Sequence, residues 1–336
     1  MRIVGLLAVA FSATVVAVST PTFSNQPGSW RDPSPHKVQF VTVEKDVRLE
    51  VLDWGGVGKP VVLLSGGGNT AHVYDEFAPK LAAHFRVYGI TRRGFGASTY
   101  GASEADAARL GEDVVAVIRA LGIKKPVLVG HSIAGAELSS VAAQHPDSIA
   151  GVVYLEAAYP YAFDNGTGPT MKEFLDIHVL QAPEPRPEDL ASFNALQKWD
   201  ARVYGFRLPE SEFHQTWEAG PDGRPVKPRE FQGSQVFMKI MTSTKKFDKL
   251  DVPSLVIFAI PHIRETWMVE STDPAVRTAA DEYFVKLDAL ATKQAQVVRS
   301  SVPGTRVVIQ KGMHYIFLTN EGDVLREIRA FVDRLE

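Results

Sequence analysis

The residues best suited to chemistry are Gly130-His131-Ser132-Ile133-Ala134-Gly135, where a serine sits between small neighbours. They directly follow the apolar run Val127-Leu-Val129 and open a helical pattern from Ala136 to His145. A serine on so tight a strand-to-helix turn adopts strained backbone angles, and only small flanking residues let the chain pass. The turn lifts its hydroxyl clear of the sheet, at the positive end of the helix. Serine is a poor nucleophile until a base takes its proton. Of the nine histidines, His314 is best placed for that work. It lies in Lys311-Gly-Met-His-Tyr315, between a late strand and the last helix, and so at the same sheet edge as Ser132. The chemistry implied is attack by Ser132 with His314 as general base. His131 reads as a packing residue of the turn.

The elements that must position these groups alternate. Val38–Val43 and Val47–Leu52 have period two and suggest an antiparallel pair at a sheet edge. Unbroken apolar runs at 60–64, 86–90, 126–129, 150–155, 252–258 and 305–310 suit parallel strands buried on both faces. Helical patterns separate them. Ser103 to Leu121 opens with a Ser-x-x-Asp cap and closes on Gly122. Asn320 to Leu335 has acids in its first turn and an apolar stripe behind them. The alternation predicts an α/β fold with a mostly parallel, eight-stranded sheet flanked by helices. Residues 158–248 break the rhythm: they contain many aromatics and prolines and no convincing strand. They read as a helical lid inserted into a core formed by 38–157 and 249–336.

The serine turn and the late histidine resemble those of the α/β-hydrolase superfamily, and the likeness covers roughly residues 38 to 335. The superfamily's turn has Gly where Ala134 stands. Leu64-Ser-Gly-Gly-Gly-Asn-Thr70 resembles the family's turn after the third strand, with Ser65 in place of a histidine. The resemblance implies that the backbone N–H groups of Gly67 and Ile133 form an oxyanion hole. Gly66–Gly68 lacks the Gly-Lys-Ser/Thr that follows a phosphate-cradling loop. Arg92-Arg-Gly-Phe-Gly-Ala-Ser98 resembles a structural turn of the family, with Thr91 where Asp is usual.

The acid departs from the commonest pattern. Many members carry Asp a few residues after the seventh core strand, where Pro253-Ser-Leu-Val-Ile-Phe-Ala-Ile-Pro-His262 presents His262. A histidine cannot steady an imidazolium as a carboxylate does. Some members place the acid at the end of the sixth strand, and here Val152-Val-Tyr-Leu-Glu156 ends in one. Glu156 is therefore the expected third member, with Glu265 and Asp273 as fallbacks. Asp248 and Asp251 precede the seventh strand, at the wrong edge.

The resemblance implies a serine hydrolase acting on an ester or related acyl bond, with a small-molecule substrate and no cofactor. A proline-iminopeptidase-like peptidase would need lid carboxylates such as Glu173 or Asp176 to hold an amino group. A C–C hydrolase or perhydrolase would share the site, and a non-catalytic ligand-binding member is the reading from another class. Ser132 disfavours epoxide hydrolase and dehalogenase chemistry, which in related folds uses an aspartate. Ten aromatics crowd the insertion and its approach: Tyr154, Tyr159, Tyr161, Phe163, Phe174, Trp199, Tyr204, Phe206, Phe213 and Trp217. Some of them suit an apolar acyl pocket.

Composition narrows the class. The 336 residues include 36 basic and 39 acidic side chains, which argues against a nucleic-acid binder. With no cysteine, disulfides, iron–sulfur clusters and cysteine-ligated zinc are excluded. No His-x-x-x-His spacing or acidic metal loop stands out, so no metal is expected. Asn165-Gly-Thr167 is a glycosylation sequon.

After Met1-Arg2, the apolar run Ile3–Val18 and the small residues behind it read as a signal peptide over 1–24. The run is shorter than the roughly 20 residues of a spanning helix, and an uncleaved anchor is the alternative. The expected location is secreted or periplasmic, without stable membrane insertion of the mature chain. Mass spectrometry of the extracytoplasmic fraction should find a chain beginning between residues 18 and 30. An intact Met1 on a soluble cytoplasmic protein would reject export.

Overall fold

The computed structural model describes residues 30–102, 105–244 and 247–335. The signal expected over 1–24 lies outside the described residues. Along the chain come β1 (Lys37–Glu44), β2 (Val47–Gly55), β3 (Pro60–Leu64), β4 (Arg86–Ile90), β5 (Val127–His131) and β6 (Gly151–Leu155). A small hairpin, β7 (Trp217–Ala219) and β8 (Pro225–Pro228), precedes β9 (Ser254–His262) and β10 (Arg306–Gly312). Eight of them form one sheet in the order β1-β2-β4-β3-β5-β6-β9-β10. Only β2 runs against its neighbours; β4, β3, β5, β6, β9 and β10 pair in parallel.

The central strands are buried on both faces because helices cover both. Ala107–Ala120, Ala134–Gln144 and Pro274–Ser301 pack one face, through Val114, Leu138 and Val298. Ala78–Ala82 and Glu321–Val332 pack the other, through Leu81, Val324 and Ile328. Side chains alternate across each strand, so Val152 and Tyr154 enter one core while Val153 and Leu155 enter the other. The expected sheet, its antiparallel edge and its flanking helices are all present.

Several boundaries differ from expectation. The first long helix starts at Ala107, not Ser103, and is capped by Asp106, whose carboxylate accepts from the Arg109 N–H at 2.8 Å. Ser103 itself lies outside the described residues. Among the described residues between β6 and β9 lie four helices, Met171–Leu175, Phe193–Tyr204, Glu210–Thr216 and Ser234–Met241, together with the hairpin. That hairpin was not expected, because strands of three and four residues bounded by prolines carry no readable alternation. Its turn is conventional, with Gly223 at φ +78° and the Gly220 N–H donating to the Arg224 carbonyl. Part of the insertion has a core of its own, formed by Phe193, Leu196, Trp199, Val203 and Phe213.

The chain enters the fold as a strap. Trp30 stacks on His214 at 3.8 Å between ring centroids, and His214 stacks in turn on Phe193. The entry segment is thereby tied to the insertion before β1 begins.

Candidate active site

Ser132 ends β5 at φ +52°, in the left-handed region that a non-glycine residue occupies only under constraint. Its N–H donates to the Leu155 carbonyl of β6 at 3.1 Å. The helix Ala134–Gln144 starts two residues later. Small residues are required here for measurable reasons. A Cβ on Gly135 would lie 1.8 Å from the Ala157 carbonyl oxygen, and one on Gly66 would lie 2.7 Å from Nδ1 of His131. Ala134 is fully buried and its methyl is accommodated. The demand for glycine thus falls on position 135, where helix and strand meet.

Glu156, next after β6, also has positive φ, +50°, and its side chain is wholly buried. Four donors surround it. The Ala259 N–H reaches Oε1 at 2.6 Å; the Tyr159 hydroxyl, His262 Nε2 and His314 Nδ1 reach Oε2 at 2.8, 3.1 and 3.4 Å. Burial alone would raise its pKa. The hydrogen bonds from His262 and His314 overcome that and hold it at about 2. The distance to His314 is slightly longer than the 3.2 Å of a tight hydrogen bond. The fallback acids stand elsewhere. Glu265 accepts from Trp267 Nε1 at 2.6 Å, and Asp273 caps the helix Pro274–Ser301 by accepting from the Ala275 N–H.

His262 occupies the position where the commonest pattern has its acid, and it complements Glu156 instead of replacing it. Its Nδ1 meets Asp288 at 2.6 Å and its Nε2 meets Glu156. Burial would lower its pKa, but the bonds to Asp288 and Glu156 raise it to about 9. At neutral pH His262 is an imidazolium between two carboxylates. The sequence signal was present as a missing Asp; its partner Asp288, on a helix 26 residues further on, gave none.

His131 packs as expected, with its ring 4.7 Å from that of His314 and its Nε2 bonded to the His314 carbonyl at 3.0 Å. Burial pushes its pKa down to about 3, so this bond is donated by a neutral ring that fixes the His314 loop. Arg92 was read only as part of a structural turn. Its guanidinium donates to the Ser65 and Gly66 carbonyls at 2.7 and 3.1 Å and to Glu137 at 2.5 Å. It therefore clamps the Gly66–Gly68 loop to the helix behind Ser132. A Cβ on Gly67 would come within 3.6 Å of the Ile133 side chain, which sets those two residues side by side.

Ser132, His314, Gly67 and Ile133 line one cavity of about 950 Å³. Of the ten aromatics, Tyr159, Tyr161, Phe174, Trp199, Tyr204, Phe206 and Trp217 face it. Tyr154, Phe163 and Phe213 belong to the cores. Tyr161 lines the cavity together with Ser132. Glu173 and Asp176 do not line the cavity: Glu173 closes a capping box with Thr170, and Asp176 pairs with Lys172 at the surface. Asp200 and Glu265 do line it. Asp200 is largely buried with Oδ2 unpartnered, and burial beside Glu265 raises its pKa to about 7.

The profile of the alpha/beta hydrolase fold family matches residues 59–321. The chain therefore belongs to that family and is an enzyme of it. Among relatives, a fluoroacetate dehalogenase from Burkholderia sp is 27% identical over 158 residues, 45% of this chain and 52% of the dehalogenase. The match thus spans about half the dehalogenase's length. A bifunctional esterase/perhydrolase from Acinetobacter calcoaceticus is 27% identical over 230 residues, 65% of this chain and 80% of the relative. A solved E-2-(acetamidomethylene)succinate hydrolase superposes with a TM-score of 0.58 at 16% identity, over 89% of this chain and 99% of its own. A carboxylesterase from Bacillus subtilis gives 0.54 at 16%, over 89% and 92%. These two likenesses concern the fold alone.

The His262 imidazolium makes stability depend on pH in a definite direction. Its folded pKa of about 9 exceeds the ordinary 6.5, so its contribution is complete below pH 6.5 and is lost as pH rises towards 9. The depressed pKa of Glu156 acts oppositely, with a contribution lost only as pH falls from about 4.5 to 2. Denaturant unfolding should show stability declining by about 3 kcal/mol as pH rises from 6.5 to 9. His262→Gln should flatten this decline. An equally steep decline in the variant would assign the effect to another group.

Proposed function

We propose that the protein is a serine hydrolase that cleaves a carboxylic ester or related acyl bond through an acyl-enzyme. One observation carries this reading: the strained Ser132 opens into the same cavity as His314, whose other side rests on the buried, ionised Glu156. Ser132 Oγ attacks the carbonyl carbon while His314 takes its proton. The N–H groups of Gly67 and Ile133 receive the developing oxyanion. His314 then returns the proton to the departing alcohol, and water repeats the sequence to release the acid. With Nδ1 of His314 turned to Glu156, Nε2 is the nitrogen left for Ser132. Glu156 stabilises the imidazolium as it forms, and His262 with Asp288 keeps Glu156 charged and in place.

The residues 158–248 act as the lid, supplying the aromatic wall of the acyl pocket. An esterase/perhydrolase among the relatives supports acyl chemistry. The dehalogenase likeness does not extend to the reaction, because a serine stands where that chemistry uses an aspartate.

Ser132→Ala should lower turnover of short p-nitrophenyl esters by about 10⁴-fold without changing the melting temperature, and should abolish labelling by a fluorophosphonate. Glu156→Gln should cost about 10³-fold or more, since an amide neither stabilises the imidazolium nor enforces the tautomer. Glu265→Gln and Asp273→Asn should retain activity on neutral esters. Near-wild-type turnover by a folded Ser132→Ala protein would refute the nucleophile. Full activity in Glu156→Gln would move the acid elsewhere.

A second reading rests on Asp200 and Glu265. Asp200, with its pKa near 7, and Glu265, whose pKa burial also raises, would pair with a positively charged group on the acyl donor, the task a peptidase would have needed Glu173 or Asp176 to perform. An aminoacyl p-nitroanilide tests it against p-nitrophenyl acetate. Asp200→Asn should reduce kcat/KM on the aminoacyl substrate about 10- to 100-fold while sparing the neutral ester. Equal effects on both substrates would eliminate a cationic specificity.

A further inference from the structure

Outside the lining of Ser132's cavity, four side chains from two short segments converge. Asp32 and His36 belong to the strap before β1; His72 and Asp75 belong to the turn Ala71–Tyr74 and its end. One donor atom from each lies within 4.8 Å of every other. His36 Nδ1 is 2.8 Å from Asp75 Oδ1, and His72 Nδ1 is 2.9 Å from Asp75 Oδ2. Asp32 Oδ2 is 3.3 Å from His72 Nδ1 and 3.7 Å from His36 Nε2. In tetrahedral zinc sites with bonds of about 2.0–2.2 Å, neighbouring ligand atoms are about 3.3–3.5 Å apart. The donor atoms, one from each residue and all within 4.8 Å of one another, are close enough for side-chain adjustment to draw them around a central ion.

The surroundings are built as those of metal ligands usually are. Three of the four side chains are nearly inaccessible, at 3–4%, and Asp32 retains 21%. Asp32 Oδ1 is held by the Ser34 N–H at 2.9 Å, which leaves Oδ2 facing inward. Asp75 Oδ2 accepts from the Ser211 hydroxyl at 2.6 Å. His72 Nε2 is buried without a hydrogen-bond partner and points at Glu50 Oε1, 3.6 Å away. Glu50 is fixed in turn by the Thr91 hydroxyl at 2.7 Å. A histidine that ligates through Nδ1 carries its proton on Nε2, where a carboxylate normally receives it. The unpartnered nitrogen and its waiting acceptor are that arrangement with the donor slightly withdrawn.

We propose that Asp32, His36, His72 and Asp75 bind one zinc ion as a closed, structural site. Two imidazoles and two carboxylates without an open position suit tetrahedral Zn²⁺, whereas Mg²⁺ and Ca²⁺ demand six or more oxygens. One divalent cation offsets the charge of two of the three facing carboxylates Asp32, Asp75 and Glu50, which favours a cation at this place. The ion ties the entering strap to the turn that follows Gly66–Thr70. Thr70 and Asn69 of that loop bind Glu212, and Asn69 also accepts from the Tyr315 hydroxyl beside His314. The sequence concealed the site because its ligands form two half-motifs, Asp32-x-x-x-His36 and His72-x-x-Asp75, with 35 residues between them.

The test uses the whole purified protein, stripped with a chelator and dialysed against buffers of defined free zinc, magnesium or calcium. Zinc alone should bind at about one ion per chain by elemental analysis and raise Tm by several degrees. Cobalt in its place should give the visible absorption of a tetrahedral ion. Asp32→Asn and His36→Gln, both in the strap outside the sheet, should remain folded by circular dichroism, weaken zinc binding at least tenfold and lose the Tm shift. A cooperatively folded wild-type protein that retains no zinc at micromolar free metal overturns the proposal, as does unchanged zinc retention in the doubly substituted chain. Neither result bears on Ser132, because ester turnover and fluorophosphonate labelling are read separately.

Discussion

A fully buried carboxylate held ionised at the end of β6 is the constraint around which this molecule is arranged. Glu156 has no access to water, and an isolated charge so placed would protonate. It stays charged because the Ala259 N–H, the Tyr159 hydroxyl and two imidazoles point at it. Those donors come from β9, from the start of the insertion and from the loop after β10. Each of these segments must therefore be in position before the carboxylate is tolerable. The left-handed conformation of Glu156 and the contact between Gly135 and Ala157 belong to the same crowded corner.

The site is thus stabilised from two directions. Behind the acid, Asp288 and His262 form an ion pair that compensates Glu156, so the charge on His314 can come and go without stranding a lone anion. Behind Ser132, Arg92 joins the Gly66–Gly68 loop to the helix that begins at Ala134. Neither Arg92 nor Asp288 lines the cavity, and both act through residues that do. Buried ionic groups of this kind fix geometry more dependably than they add stability.

Much of the fold was legible because buried parallel strands leave unbroken apolar runs, and because the Gly130–Gly135 turn needs residue sizes that few other structures require. Ser132, His314 and Glu156 were legible from position, each closing or following a core strand. What stayed hidden depends on pairings across long stretches of chain. His262 reads as a missing acid until Asp288 is seen beside it. Asp200 looks like an ordinary surface carboxylate and Glu265 like a fallback acid, and only the folded insertion brings the two into one cavity. The 28-residue helix Pro274–Ser301 has a weak amphipathic stripe, so Asp273 passed for a loop residue although it caps that helix. The hairpin of β7 and β8 is too short for any period to register.

The carboxylate facing His314 comes from β6, and this relieves the segment after β9 of a duty. In the commoner arrangement that loop must hold an acid within reach of the histidine, so its length and path are tied to turnover. Here residues 263–273 contribute Ile263, Glu265 and Met268 to the cavity wall and no hydrogen bond to His314 among the described residues. Insertions, deletions or exchanges in that stretch can reshape what the pocket admits while leaving the contact between His314 and Glu156 intact. Natural divergence and laboratory recombination would both find their widest latitude there.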